Sequence, residues 1–373
     1  MIVSFLKLNP DYENRVFGLD LMRALAITFV VISHGDLIIG PYSDFPWIPL
    51  INGVELFFVL SGFLIGGILI KTFENKTDFT LKTIWNFWVR RWLRTLPNYY
   101  LILLVNIILV YYKIIIEDFT QFNWKFFLFL HNFNSHFVGF FWESWSLSIE
   151  EWFYILFPIS LFLLYLFLKI FSVQKKSIFF TAILLFLPFS FLLRYFIASS
   201  FQLDAFWLGS KINSVVIYHF DGIALGLLAA FIKFWYPQHW NKYKNLSFIL
   251  GLILSYFILI HEWLPNDFST KVYKLFLQSF GCFLLLAKFD SIKKAPIFIT
   301  KIVTHISLIS YSMYLVNLAL VAKVIFDNFR IDNSLTAWLY YIIYWNIVIL
   351  LSTLLFKYFE RPVLNLREKW SKS

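Results

Sequence analysis

The chain has a single cysteine, Cys282, among its 373 residues. One cysteine cannot close an internal disulfide, and it cannot supply the several thiolates of a cysteine-bound metal site. The sequence also contains no P-loop, no dinucleotide-binding glycine pattern, no His-x-x-x-His pair and no EF-hand loop. We therefore expect neither a resident cofactor nor a bound metal ion.

Charge is scarce too: Asp, Glu, Lys and Arg make up 14% of the chain, whereas 60% of its residues are hydrophobic. Soluble domains are nearer about 45–50% apolar, so the composition indicates a polytopic membrane protein. The excess of 32 lysines and arginines over 22 acidic residues need not indicate a nucleic acid, because cytoplasmic loops of membrane proteins are rich in both basic residues. We expect no nucleic-acid partner.

Long apolar segments predict an all-α integral membrane protein, a polytopic bundle of about ten transmembrane helices. A crossing needs about 20 apolar residues. The segment 119–133 is aromatic but too short to cross, and it fits an interfacial or re-entrant helix better. The predicted spans lie near residues 19–39, 51–71, 97–116, 147–168, 177–199, 212–233, 246–261, 272–288, 302–325 and 336–357.

The basic residues are distributed unequally between the predicted connections. Most lie before the first span, after the last span, and in every second connection, of which 71–94 is the most basic. Cytoplasmic segments carry this excess in membrane proteins. The distribution predicts that both termini are cytosolic, which agrees with an even number of spans.

The first span carries two ionisable side chains, Arg23 and His34, within the sequence GLDLMRALAITFVVISHGD. Ionisable groups inside a membrane are costly and usually mark a functional site. Eleven helical residues return to within about 20° of the same face and rise roughly 17 Å. One helix face therefore presents a cation and an imidazole at two depths. Alternatively, Arg23 extends to the headgroups and His34 is a buried, hydrogen-bonded polar residue.

The second span carries Glu55 at a depth that matches His34. Both residues lie roughly 6–8 Å below the outer end of their spans, at about 1.5 Å per residue. The two spans are joined by a short connection and should be neighbours. The sequence therefore predicts that the Glu55 carboxylate lies beside the His34 imidazole.

The basic connection before the third span contains Arg91 and Arg94, which lie one helical turn apart and share a helix face, with Arg90 beside them. Each guanidinium is a planar fork of donors that suits phosphate. This spacing favours a phosphate-binding pair. The alternative is that both residues only anchor the third span at the cytosolic surface.

Four more polar residues stand out in the later part of the chain. Glu150 and Glu151 fall near the outer membrane boundary of the fourth span, and at least one should face protein or a wet cavity unless both lie among the headgroups. Asn317 lies in the middle of the ninth span and predicts an interhelical hydrogen bond. Glu360 follows the last span and is expected to form an ion pair with Arg361 at the cytosolic surface.

Read together, seven segments resemble acyltransferase family 3, the integral membrane O-acyltransferases that modify surface glycans and other exported or membrane-associated acceptors. Each segment alone is weak, but seven in this order are specific. The resemblance covers residues 15–362 of a single domain, 1–373, with cytosolic tails at 1–14 and 363–373. The segments are RVFGLDLMRALAITFVVISHG, GVELFFVLSGFLIGG, RRWLRTLPNYY, WSLSIEEWFYILFP, HFDGIALGLLAA, ISYSMYLVN and FERP.

The family pattern falls on residues already singled out by their chemistry. Its basic residue, ten positions and histidine match Arg23 and His34, and its Arg-x-x-Arg matches Arg91 and Arg94. Its acidic residue before paired phenylalanines matches Glu55. The sequence departs from the pattern at one place, because relatives usually have histidine where this chain has Asn317.

The resemblance implies an enzyme that moves an acyl group, acetyl being the expected one, from cytosolic acyl-CoA to a hydroxyl of a glycan or other exported or lipid-linked acceptor. It also implies a multi-pass protein of the bacterial inner membrane. The donor, the acceptor and the bilayer are the expected partners. The expected catalytic residues are His34 and Glu55, and the expected substrate-binding residues are Arg23, Arg91, Arg94, Glu150 and Glu151.

The mechanism remains open at this stage. His34 is either a general base on the acceptor hydroxyl or a nucleophile that carries the acyl group. A different function is also possible: a transporter or flippase in which the buried charges form a substrate or proton path. Consumption of acyl-CoA by the purified protein distinguishes the enzyme from the transporter.

Overall fold

The computed structural model describes residues 8, 12, 15–43, 51–75, 78–137, 139–200, 212–264 and 267–370. All regular structure in these ranges is helical. The helices are α1 (Phe17–Ile39), α2 (Gly53–Asn75), α3 (Leu81–Tyr111), α4 (Ser144–Lys169), α5 (Lys175–Ser200), α6 (Asp221–Trp235), α7 (Pro237–Ile260), α8 (Phe268–Ser291), α9 (Ile297–Val316), α10 (Ser334–Leu355) and α11 (Arg361–Trp370). A π-helical turn at Asn317–Lys323 and a short helix at Val324–Asn328 continue α9, and a π-helical turn at Phe356–Glu360 joins α10 to α11.

Within the described ranges, nine helices are long and apolar enough to cross a membrane. The predicted all-α multi-pass bundle is thereby confirmed. The crossing helices are Phe17–Tyr42, Gly53–Asn75, Leu81–Tyr111, Ser144–Lys169, Lys175–Ser199, Pro237–Ile260, Val272–Ser291, Ile297–Asn328 and Ser334–Leu366.

The sixth predicted span, 212–233, is shorter than expected. Its helix, α6, has only 15 residues and begins at Asp221. The polar side chains of His219 and Asp221 bond to other helices at this point, so the apolar stretch before them turns instead of continuing as a helix. The sixth predicted crossing is therefore a short, buried helix inside the bundle.

Glycines allow α6 to pack directly on α2. A Cβ atom on Gly62 would lie 2.0 Å from the backbone oxygen of Ile223, and one on Gly226 would lie 2.1 Å from that of Val59. Real Cβ atoms cannot approach so closely, so only glycine fits at both positions. Small residues let membrane helices approach each other in this way.

Two other predicted segments differ from the structure. The third crossing begins at Leu81, well before the predicted residue 97, and continues through Pro97. The segment 119–133 forms 3-10 turns at Phe119–Gln121 and Trp124–Leu128 instead of an interfacial helix. There the side chains of Asp118 and Asn123 accept bonds from backbone N–H groups two residues later, and such local bonds compete with a continuous helix.

The ion pair expected between Glu360 and Arg361 is wrong. Glu360 is buried and accepts hydrogen bonds from Asn98 Nδ2 at 2.9 Å and Ser312 Oγ at 2.7 Å. Arg361 instead donates to the backbone oxygen of Leu8 at 2.7 Å. The turn at the end of α10 thus fastens three helices together rather than forming a surface pair.

The buried apolar side chains form two large clusters that meet along one face of α2. One cluster is built on α2, α4, α5 and α6, and the other on α1, α3, α9 and α10. Val54 and Phe57 of α2 and Trp152 of α4 pack against both clusters. A cleft lined with polar groups opens beside this seam.

Candidate active site

The cleft lies among α1, α2, α3, α4 and α9 and contains three guanidinium groups but one carboxylate. Arg23, Arg91, Arg94 and Glu150 line it together, around a free volume of about 100 Å³. The sequence predicted that Arg91 and Arg94 share a helix face, and both reach this cleft. Arg90 is exposed elsewhere on α3. Two of the three neighbouring arginines therefore line the cleft, and the third does not.

Arg91 is held against one wall of the cleft. Its guanidinium carbon lies 5.7 Å from the centre of the Tyr154 ring. The Tyr154 hydroxyl is bonded to Ser61 Oγ. Glu150 interacts with Ser61 and Tyr154. It also lies close enough to Arg91 and Arg94 to interact with them electrostatically. These contacts orient one guanidinium through an aromatic face and leave its donors open to the cleft.

The three cleft arginines lack contact partners of opposite charge among the described residues. No carboxylate lies within 4.0 Å of a side-chain nitrogen of Arg23, Arg91 or Arg94. The acidic residue nearest to Arg23 along α1, Asp20, is instead paired with Arg15 at 2.5 Å and bonded by Ser307. Uncompensated guanidinium groups in a partly buried cleft favour an anionic ligand.

The adjacent glutamates of α4 face different surroundings. Glu150 lines the cleft, whereas Glu151 is 3% exposed and accepts a hydrogen bond from Thr95 Oγ1 at 2.7 Å. Tyr311 donates to the backbone oxygen of the same threonine at 2.7 Å. The prediction that at least one of the two glutamates faces protein or a cavity is confirmed. Glu151 lies behind the cleft wall and supports it.

His34 is bonded to Asn317, which confirms the interhelical hydrogen bond predicted at that asparagine. Its Nδ1 atom lies 2.5 Å from Asn317 Oδ1. The asparagine Nδ2 donates to the backbone oxygens of Met313 and Tyr314, both at 2.8 Å, so the amide oxygen must be the atom that faces the imidazole. Nδ1 of His34 is therefore the donor, and in the neutral ring Nε2 carries the lone pair.

The helix that carries Asn317 widens at this residue into a π-helical turn, Asn317–Lys323. The backbone N–H of Ala319 in this turn donates to Glu143 Oε1 at 2.7 Å, and Lys323 is paired with Glu117. Single π-helical turns are frequent at functional sites. Here the turn and its carboxylate partner fix the position from which Asn317 reaches His34.

A second cavity, of about 500 Å³, contains His34 and lies among α1, α2, α7 and α8. Ser33, Asn52 and Val54 line it on the side of α1 and α2. Among the described residues, no side chain bonds the Nε2 atom of His34. That nitrogen is thus available as a base or nucleophile beside an open space.

Val54 lines both cavities. From there the arginine-lined cleft follows α2 to Leu64 along one helix face. Ten residues of α-helix rise roughly 15 Å. The cationic cleft and the His34 cavity therefore lie on two sides of Val54.

The predicted pairing of Glu55 with His34 is wrong. Glu55 is 1% exposed, accepts a hydrogen bond from Ser279 and contacts His219 Nε2 at 2.6 Å. His219 Nδ1 lies 2.5 Å from the backbone oxygen of Asn213. Nδ1 of His219 thus faces a backbone acceptor, and Nε2 shares a hydrogen with the Glu55 carboxyl group. The sequence predicted that Glu55 lies at the depth of His34. Its position around the axis of α2, however, directs its side chain towards α6 and α8.

Sequence reasoning also missed a buried ion pair near Glu55. Arg194 and Asp221 are both 0% exposed and bond to each other, and Arg194 also bonds the backbone oxygen of Tyr218. In the sequence, Arg194 and Asp221 are each an isolated charged residue in an apolar segment, and nothing in that pattern shows that they are partners. This pair and the Glu55 contacts hold the start of α6 in place.

Another histidine outside the crossing helices, His131, is unsuited to proton transfer. It lies in the connection between α3 and α4, is stacked on Phe126 at 4.1 Å and has Ser144 Oγ 3.0 Å from its Nε2 atom. Burial lowers the pKa of His131 to about 3. The ring is neutral at physiological pH and fills a structural position.

Comparisons with known proteins identify the family of the chain. The model of acyltransferase family 3, described as an acyltransferase domain, matches residues 16–357. A putative O-acetyltransferase of Staphylococcus aureus strain COL is 28% identical over 92% of this chain and 56% of the relative. The peptidoglycan O-acetyltransferase OatA of Listeria monocytogenes is 34% identical over 38% of this chain and 23% of the relative.

A third relative and the lengths of the matches complete the comparison. The putative peptidoglycan O-acetyltransferase YrhL of Bacillus subtilis is 34% identical over 40% of this chain and 24% of the relative. The chain thus spans 56% of the length of the staphylococcal relative and less of the other two. No solved structure matches the chain.

Proposed function

The chain belongs to acyltransferase family 3, and on that premise we propose that it is a membrane O-acyltransferase that transfers an acetyl group from cytosolic acyl-CoA to a hydroxyl of an exported or lipid-linked glycan. The bacterial cytoplasmic membrane is its proposed location. The observation that supports this function best is that the cationic cleft and the His34 cavity share Val54 as a lining residue. A transferase needs two substrates to meet at one reactive group, and this arrangement provides for both.

The donor occupies the arginine-lined cleft in this proposal. Arg91 and Arg94 bind CoA phosphates through charge-assisted hydrogen bonds, and the Glu150 carboxyl group lies near both guanidinium groups without pairing with either. Arg23 extends the positive field towards the seam between the apolar clusters. The apolar side chains of α2 then line the way for the pantetheine arm, whose reach is comparable with the roughly 15 Å from Leu64 to Val54.

The reaction takes place at Nε2 of His34. In the direct route, Nε2 takes the proton of the acceptor hydroxyl while its oxygen attacks the thioester carbonyl. The new C–O bond forms, the C–S bond breaks, and the proton passes to the departing CoA thiolate. In the two-step route, Nε2 attacks the thioester carbonyl, the C–S bond breaks and the CoA thiolate leaves. The acceptor oxygen then attacks the acyl-imidazole, the N–C bond breaks, and the hydroxyl proton passes to the thiolate. In both routes, Asn317 holds Nδ1–H and stabilises the charged ring.

Consumption of acetyl-CoA by the purified full chain tests the proposed function. In the presence of a glycan acceptor, the protein should release free CoA and attach acetyl esters in equal amounts. Release of CoA without ester formation would indicate hydrolysis only. A protein that consumes no acetyl-CoA with any acceptor would favour the transporter reading of the same buried charges.

Removing either cleft arginine should weaken donor binding. We expect Arg91→Ala and Arg94→Ala each to raise the Kd for CoA by at least about tenfold, since a hydrogen bond to a charged group contributes about 1.5–3 kcal/mol. Lysine at either position should restore only part of the affinity, because an ammonium group cannot form the bidentate fork. Titration of CoA into the detergent-purified chain measures this.

The matched control for these variants is Arg90→Ala, which removes an exposed guanidinium from the same helix. It should bind CoA like the unchanged protein. If all three alanine variants bind equally well and fold normally, the cleft is not the phosphate site.

Asn317→Leu should lower kcat by about tenfold or more and leave the KM for acetyl-CoA nearly unchanged. Leucine has a similar volume but cannot accept the Nδ1 hydrogen, so His34 is free to adopt the tautomer that blocks Nε2. Steady-state kinetics in membranes separate the two constants. A rise in KM with kcat preserved would place Asn317 in donor binding instead.

The orientation of the chain is tested with reporters. A reporter fused after Ser373 should read cytosolic, and one inserted between Asp36 and Asn52 should read external, as the distribution of basic residues predicts. This orientation would place the arginine cleft towards the cytosol and His34 towards the outside. A cytosolic reading at the second position would contradict the route from a cytosolic donor to an exported acceptor.

A further inference from the structure

The cavity that contains His34 has a second wall, which belongs to α7, α8 and the connection between them. Trp263, Lys274 and Gln278 line it there, opposite Ser33 and His34. Its volume of about 500 Å³ falls within the roughly 300–1,000 Å³ of small-molecule sites. The wall therefore bounds a space large enough for a sugar residue next to the reactive imidazole.

Lys274 is the charged group of this wall. It lies within the apolar window of a crossing helix, Val272–Ser291, and is half-buried. Its Nζ lies 5.7 Å from the centre of the Trp263 ring, and Trp263 is itself anchored by a hydrogen bond of 2.8 Å from Nε1 to the backbone oxygen of Ile258. The ammonium is thus supported on an aromatic face at the edge of the cavity.

This ammonium has no anionic partner in the described part of the chain. No carboxylate lies within 4.0 Å of Lys274 Nζ, and the described lining of the cavity contains neither aspartate nor glutamate. By contrast, Arg194, Lys233 and Lys323 each have a carboxylate of their own. A cation at membrane depth normally faces a partner or a functional cavity.

We infer that this cavity is the acceptor site and that Lys274 binds an oxyanion carried by the acceptor. The inference rests on the proposed function and deepens it, because it assigns the acceptor to the class of anionic glycans. The hydroxyl to be acetylated lies at His34, and a carboxylate or phosphate on the same or the next sugar lies at Lys274. Gln278 and Asn52 offer amide groups for the remaining sugar hydroxyls.

The inference is tested by binding of three saccharide probes to the full chain in detergent. Trigalacturonic acid carries carboxylates, glucose 6-phosphate carries a phosphate, and maltotriose is neutral. Saturating CoA is present throughout, so that the arginine-lined cleft is filled and cannot bind the anions. We expect at least one anionic probe to bind at least tenfold more tightly than maltotriose, and the better of the two identifies the oxyanion.

Lysine variants locate the effect. Lys274→Gln should reduce binding of the preferred anion to the level of maltotriose, and Lys274→Arg should retain most of the preference. The control Lys125→Gln changes an exposed lysine in the connection between α3 and α4 and should have no effect. Equal binding of all three probes by the unchanged protein, or an anion preference that survives in Lys274→Gln, would overturn the inference.

Acetyl-CoA turnover, measured on the same preparations, separates this inference from the proposed function. If CoA is released and esters form but no anion is preferred, the enzyme assignment stands and the anionic acceptor is rejected. If no acetyl-CoA is consumed with any acceptor, the proposed function fails and the acceptor role of the cavity fails with it. Turnover together with a preference that depends on Lys274 supports both.

Discussion

His34→Ala should abolish transfer of acetyl groups to the acceptor while the protein remains folded and inserted in the membrane. The expected loss is about 10²–10⁴-fold, the range for removal of a general acid–base group, and it would be larger if the ring carries the acyl group. The variant should still bind CoA, because the arginine-lined cleft does not include the imidazole. The measurement is acetyl ester formation in membranes, normalised to the amount of protein.

A histidine elsewhere in the chain provides the control for this experiment. His239 is exposed at the start of α7, and His239→Ala should have the turnover of the unchanged protein. Near-normal turnover by His34→Ala would remove the imidazole from the chemistry, even if the enzyme assignment survived. In the unchanged protein, a burst of one CoA per chain in the absence of acceptor would favour the acyl-histidine route over direct transfer.

The membrane fold could be predicted from the sequence because span length and hydropathy are properties of one segment at a time. The errors arose where tertiary contacts decide the local structure. Residues 212–220 are apolar enough that the sequence predicts them to be part of a membrane crossing. In the structure, His219 bonds to Glu55 and the helix begins only at Asp221. In the first turns of α3, a lysine and three arginines interrupt the apolar residues and weaken the hydropathy signal, although helix forms there from Leu81 onwards.

The candidate site, like the fold, could be predicted only in part. The faces of single helices could be read from spacing, so Arg91 and Arg94 were correctly placed together. Contacts between side chains of different helices could not be predicted, because they depend on the packing and rotation of the helices as well as on depth in the membrane. Glu55 matches His34 in depth but faces His219, whereas the partner of His34 is Asn317, 283 residues further along the chain.

The departure at Asn317 has a chemical explanation in this geometry. His34 needs an acceptor for its Nδ1 hydrogen, and the asparagine amide oxygen supplies one in a fixed orientation. A neutral imidazole, which the family resemblance implies at this position, also has one acceptor nitrogen. Either residue type can therefore serve, and the position constrains the hydrogen-bonding role more than the residue.

Val54→Trp should prevent acyl transfer while leaving donor binding intact. Val54 lines both the arginine cleft and the His34 cavity, and an indole in its place would block the proposed passage between them. CoA phosphates would still reach Arg91 and Arg94, but the thioester could not reach His34. We expect a fall in kcat of at least about 10²-fold, since misplacement of a reacting group by about 1 Å can cost that much, with little change in the Kd for CoA.

Three variants of α2 separate obstruction from damage to the fold. Val54→Ala widens the passage and should keep most of the activity. Ile68→Trp places the same indole at a position of α2 that is 48% exposed, and it should leave both binding and transfer unchanged. If Val54→Trp transfers acetyl groups at the normal rate, the acyl group does not pass between the two cavities at Val54, and His34 must receive it by another route.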